Sequence, residues 1–102
     1  MSLEAEFTQA LEGTVEAAKA HKYVPTYFIQ MLAEYGGVET AKRLLAKPGP
    51  QAGLFELYNL GLLHESMEAV IWDNPRFHKF FTKAGMEVVK RRLEDMGDFG
   101  RP

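Results

Sequence analysis

The sequence predicts an all-α fold: one compact domain of about six or seven short helices that cross at angles, with no sheet. Three observations predict it. Apolar residues recur at three- and four-residue steps along most of the chain. No segment alternates apolar and polar residues as a half-buried strand does, and only six valines and two isoleucines occur. Glycines and prolines interrupt the periodic stretches at short intervals, so each helix is brief and must meet its neighbours at an angle. At 102 residues the chain is long enough for a single core, and the sequence predicts one helical domain over 1–102 with a frayed tail at 98–102.

The first element is expected from Leu3 to Ala20, where Leu3, Phe7, Leu11, Val15 and Ala18 make one apolar stripe and the glutamates look outward. His21 and Lys22 stand where positive charge suits the end of the helix dipole. Pro25 suits the first turn of a second helix, because its missing amide proton would have no partner there. Phe28, Met31, Leu32 and Tyr35 are expected to form the buried face of that helix. Gly36 can take the positive φ that closes it, and a third helix follows with Val38, Ala41, Leu44 and Leu45 inward. This helix, glycine break, helix unit is the clearest local signal in the chain. A weaker copy spans Gly85 to Leu93, and two copies do not indicate a solenoid.

Lys47-Pro48-Gly49-Pro50-Gln51 cannot continue a helix and is too short to separate domains. A short helix from Leu54 to Leu60 should stop at Gly61, and another should run from Ser66, as its amino cap, to Trp72. Asn74 is expected to cap a single turn opened by Pro75 and carrying Phe77, Phe80 and Phe81. Thr82 is the expected cap of the last helix, which aligns Met86, Val89, Leu93 and Met96 and ends at Gly97. With 12% aromatic residues, most rings, including Phe28, Phe55, Phe77, Phe80 and Phe81, are expected in the core.

Composition narrows the chemistry. The chain has no cysteine, which excludes disulfides, thiolate metal sites and a cysteine nucleophile and points to a cytoplasmic protein. Glu4, Glu6, Glu12 and Glu16 occupy the stretch where a secretory signal would be basic and then apolar, so no signal peptide is expected. No apolar run approaches the roughly 20 residues of a membrane-spanning helix, and no membrane association is expected. The formal net charge is −2. Residues 76–92 carry Arg76, Lys79, Lys83, Lys90, Arg91 and Arg92 against Glu87 alone, while 54–73 carry Glu56, Glu65, Glu68 and Asp73 with no lysine or arginine. An acidic amino-terminal helix and a basic carboxy-terminal one lying side by side account for this, and an anionic partner at the basic end is the sharper reading.

Candidate sites are sparse. Ser2 and Ser66 are the only serines, and His64, two residues before Ser66, points elsewhere if both are helical, so no nucleophilic triad is expected. His64 and Glu68, four apart beside Glu65, have metal-ligand character but make an incomplete set. Glu65 and Glu68 are better explained as acids in a first helical turn. No glycine-rich phosphate loop occurs. The expectation is therefore of no catalytic residue, no metal and no cofactor.

Leu32-Ala33-Glu34-Tyr35-Gly36-Gly37-Val38 looks like the first helix and turn of a repressor helix-turn-helix, with Thr40-Ala41-Lys42-Arg43-Leu44-Leu45 as recognition helix. Only Glu39 separates Val38 from Thr40, which is too short a spacing, and a glutamate there would face phosphates. A nucleic-acid interface using Lys42, Arg43, Lys90, Arg91 and Arg92 is accordingly the alternative and not the first reading.

Four pieces in order, Gly36 to Leu45, Gly53 to Tyr58, Leu63 to Val70, and Phe81-Thr82 ahead of Arg91-Arg92-Leu93, resemble a group of small uncharacterised bacterial helical proteins. The resemblance implies a helical fold and pairs Ser66 with Glu68 as cap and first-turn acid. It implies no activity. A non-enzymatic helical interaction domain of bacterial origin is therefore expected, binding a protein partner or self-associating as a homo-oligomer. Tyr58, Leu62, Leu63 and Trp72 are its candidate interaction patch, because they lie near loops where burial can be incomplete.

Overall fold

The structure, a computed structural model, describes residues 1–49 and 51–97. Among these it contains five α-helices and two 3-10 turns and no strand: α1 (Leu3–Ala20), α2 (Thr26–Leu45), α3 (Ala52–Asn59), a turn at Leu63–Glu65, α4 (Met67–Asp73), a second turn at Pro75–Phe80, and α5 (Lys83–Asp95). The expected tail at 98–102 and Pro50 lie outside the described residues.

Helix α1 begins where the Ser2 hydroxyl accepts the Ala5 N–H, and it buries Phe7, Leu11, Val15 and Ala18. It ends as His21 and Lys22 turn their backbone N–H groups onto Ala18 and Lys19. Helix α2 is two helical segments broken at Gly36, whose φ of 77° is the left-handed conformation expected of a glycine break. Gly37 serves a different purpose. Its N–H, freed by the break, is accepted by the Thr8 hydroxyl at 2.9 Å, and a Cβ added to it would lie 2.8 Å from Thr8 Cα. The glycine pair thus supplies a bend and the close approach of α2 to α1.

The main core joins α1, α2, α4 and α5 through Phe7, Leu11, Ala41, Leu45, Met67, Ala69, Ile71, Phe77, Val89 and Leu93. Phe7 is its centre, with the rings of Phe77, Phe81 and Phe80 at 4.9, 5.8 and 5.9 Å. Arg76 of the second turn meets Glu6 of α1 at 2.6 Å, so part of the basic stretch does lie beside the acidic amino-terminal helix.

Three expectations are corrected. Tyr35 is exposed, and the Arg43 guanidinium sits 4.0 Å above its ring. Asn74 makes no side-chain amino-cap bond; its amide donates back to the Val70 carbonyl at 2.8 Å and closes α4. Phe55 is 52% exposed, because α3 turns only Leu54 and Leu57, three apart, toward the protein.

Candidate functional site

The most constrained polar group in the molecule is an ion pair assembled from three helices. Ser66 caps α4 by accepting the Ala69 N–H at 3.1 Å, which sets Glu68 in the first turn and turns it inward. From α5, Arg92 Nη1 donates to Glu68 Oε2 at 3.1 Å. Arg92 Nη2 donates to the carbonyls of Leu44 and Lys47 at 2.9 and 3.0 Å, satisfying acceptors at the carboxy-terminal end of α2. Only 10% of the Arg92 side chain and 6% of that of Glu68 is exposed. Burial pushes the Glu68 carboxyl above its ordinary value, against the opposing pull of its own backbone N–H and of Arg92.

Glu68 and Arg92 form part of the wall of a cavity of about 400 Å³. The end of α1 contributes Thr14 and Ala18. The α1–α2 connection and the start of α2 contribute Tyr23 to Phe28, and α3 contributes Ala52, Gly53, Leu54 and Leu57. Met67 of α4 and Leu44 and Lys47 at the end of α2 complete it with the ion pair and Gln51. Mostly apolar walls with a few convergent polar groups are the usual character of a small-molecule site. The Tyr23 phenol is pushed up in pKa by burial and further by Glu56, so it stays a protonated donor.

Exposed apolar side chains occur both among the residues that line this cavity and on the helix beside it. Among the described residues the large apolar side chains with high exposure are Met1, Val24, Tyr27, Tyr35, Phe55 and Tyr58. Val24 and Tyr27 line the cavity, and Phe55 and Tyr58 lie on the outer side of α3, whose inner side also lines it. The rings of Phe55 and Tyr58 are 6.4 Å apart. Lys47 places its Nζ 4.7 Å from the centre of the Tyr27 ring. Comparison of the chain with protein-family models, curated proteins and solved structures found no match, so its function has to be argued from these residues.

The four residues of the expected patch do not share one surface. Tyr58 is exposed, whereas Leu62 is buried beside Ala18 and Leu57, and Leu63 and Trp72 pack partly buried against the main core. Phe55 takes their place next to Tyr58. Period alone could not have found it, because an eight-residue helix with apolar residues at 54, 55, 57 and 58 has two candidate inward faces.

The five candidate anion contacts also separate. Lys42, Lys90 and Arg91 are exposed, Arg43 pairs with Glu39 at 3.0 Å, and Arg92 is buried in the ion pair and is not a surface cation. His64 is exposed and 3.6 Å from Glu65, while Glu68 points into the protein. Among the described residues no three His, Asp or Glu side chains gather in an arrangement that would hold a metal ion. The Ser66 hydroxyl is occupied as a helix cap and is not among the cavity-lining groups. The link between Glu68 and Arg92, 24 residues apart, had no sequence signal, because a first-turn acid and a last-turn arginine are each accounted for by their own helix.

Proposed function

We propose that the chain is a non-enzymatic helical interaction domain that binds a protein partner, or a second copy of itself, through the outer side of α3. The observation that carries this reading is the pair Phe55 and Tyr58, 52% and 47% exposed on one short helix with their ring centres 6.4 Å apart. Scattered single apolar residues on a surface need no explanation, but adjacent aromatic rings on one element have the composition of an interface centre. Such rings supply large contact area at low cost in side-chain entropy. Nucleic-acid binding has less support, since Arg92 and Arg43 are already partnered and the net charge is −2.

No helix among the described residues is long and apolar enough to cross a membrane. The same proposal places the domain in the bacterial cytoplasm, in keeping with a cysteine-free chain and with the resemblance to small bacterial helical proteins.

A photoreactive benzophenone side chain introduced at position 55 in the producing cells tests the reading. A discrete protein adduct is expected from position 55 and not from position 16, an exposed site on α1. Light scattering at several concentrations separates the two occupants. A mass that rises with concentration, and stays monomeric in a Phe55→Ser, Tyr58→Ser variant, identifies a second copy. A concentration-independent monomer with no site-specific adduct from position 55 overturns the proposal.

A further inference from the structure

The inner side of α3 faces a different problem from the outer side. Leu54 and Leu57 look into the cavity, and Ala18 and Met67 supply further apolar wall. Against this wall stand Glu68 and Arg92, both nearly buried and bonded to each other. Arg92 has five N–H donors. Three are taken: one from Nη1 by Glu68 and two from Nη2 by the Leu44 and Lys47 carbonyls. The Nε hydrogen and the second Nη1 hydrogen have no protein partner among the described residues. Glu68 gives Oε2 to Arg92 and its carboxyl also accepts from its own backbone N–H, which leaves further acceptor capacity on the group. The residues that wall the cavity therefore include, side by side, one with spare donors and one with spare acceptor capacity.

We propose that this cavity is a binding site for a small uncharged amphiphile, an apolar body ending in a head that both donates and accepts hydrogen bonds, of which a primary carboxamide is the type. The charges of the pair largely cancel at the position of the head. An anionic head attracted by Arg92 meets Glu68, a cationic head attracted by Glu68 meets Arg92, and either one loses its hydration on entry. A carboxamide loses far less, because its C=O accepts from Arg92 and its N–H donates to Glu68. The volume of about 400 Å³ is near the lower end of the range for ligand cavities, which suits a short aliphatic chain or one ring. The competing force is Lys47, whose Nζ stands at the rim above Tyr27. Its charge is in water there, where attraction for an anion is weak.

Octanamide, octanoate and octylammonium share one body and differ in the head, so their affinities for the full chain decide the matter. Protein-observed NMR, with the methyl signals of Leu54, Leu57 and Met67 reporting the site, should show saturable binding of octanamide. Its affinity should exceed that of both charged analogues by about tenfold or more. Ala52→Phe, an exposed substitution at the start of α3 on the cavity wall, should abolish the methyl shifts. Glu68→Gln removes the charge that opposes an anion and should shift the preference toward octanoate by about tenfold. Tyr58→Ser alters the proposed partner surface but does not line the cavity, and it should leave octanamide binding unchanged, so the two proposals fail separately. Octanoate binding to the unmodified chain as well as octanamide, the absence of saturable binding by any of the three, or octanamide binding that survives Ala52→Phe would each overturn the inference. If Glu68→Gln does not fold, the analogue series and Ala52→Phe still decide it.

Discussion

Where α1 meets the Pro75–Phe80 turn, three phenylalanine rings close around Phe7, and Phe7 and Phe77 have no exposed surface. Where α3 lies, only Ala18, Leu57 and Leu62 form a buried cluster, with Tyr23 and Leu60 partly packed against it. Leu54 is buried but outside that cluster, and it lines the cavity. The two regions have similar apolar content and opposite outcomes. In the first, aromatic side chains from α1, the Pro75–Phe80 turn and the residue after it converge on one point. In the second, a helix of eight residues offers two inward side chains and leaves Phe55 and Tyr58 outside. Stability resides in the first region and available surface in the second, and candidate function gathers where burial is incomplete.

The largest expected effect tests whether that division is real. Phe7→Ala removes the ring around which the others are arranged and should cost about 3–5 kcal/mol of global stability, read as a lowered denaturation midpoint. That is a large fraction of the total for a domain of this size. Leu57→Ala should cost about 2 kcal/mol, at the low end for a buried leucine, because water in the adjoining cavity can relax into the space. It should act locally first. Amides 52–59 are expected to exchange roughly 30-fold faster, at tenfold per 1.4 kcal/mol, while those of α1 and α5 change little. Equal losses of protection in α3 and α1 would show that the two regions unfold as one unit.

The same contrast explains what the sequence revealed. Along α1 a single stripe is apolar and the opposite face is acidic, so Phe7, Leu11, Val15 and Ala18 were identifiable as core and are buried. Gly36 was legible as a break because few residues other than glycine tolerate its φ. The caps at Ser66 and Thr82 were legible because each precedes a periodic run, and both hydroxyls accept the expected N–H. Asn74 misled because asparagine serves either end of a helix, and the choice lay in its bond to Val70. Phe55 and the cavity were hidden for a tertiary reason. Nothing within α3 says which face meets the protein, and the cavity is bounded by segments from Thr14 to Arg92. Arginine and glutamate in helices are ordinarily solvated, so Glu68 and Arg92 gave no local sign of burial.

A smaller effect sharpens the role of that pair. A carboxyl whose native pKa lies above its unfolded one binds its proton more tightly in the folded state. Its contribution is therefore fully present below the ordinary glutamate pKa and is lost as pH rises through the raised value, the direction that burial of Glu68 imposes. Stability measured by denaturant titration should fall across that window in the unmodified chain, and the fall should be absent from Glu68→Gln. Glu68→Ala differs, since it strands Arg92 without its partner, and its loss of stability should exceed that of the glutamine variant. A stability that rises with pH through the window would mean that Arg92, and not burial, sets the ionisation of Glu68.

The smallest effect lies on the well-packed side, at a buried hydroxyl. Thr40 is fully buried on the second segment of α2, next to Ala41 of the main core, and its hydroxyl oxygen has no hydrogen-bond partner among the described residues. Thr14, also buried, at least reaches the Ala10 carbonyl of its own helix at 3.5 Å. A buried hydroxyl without a partner destabilises the fold, and valine fills nearly the same space without a polar atom. Thr40→Val should therefore raise stability by about 1 kcal/mol with no change in the helical spectrum. If it lowers stability instead, a water must satisfy the hydroxyl, and the interface of α1 and α2 near Gly37 is wetter than the dry, ring-filled region around Phe7.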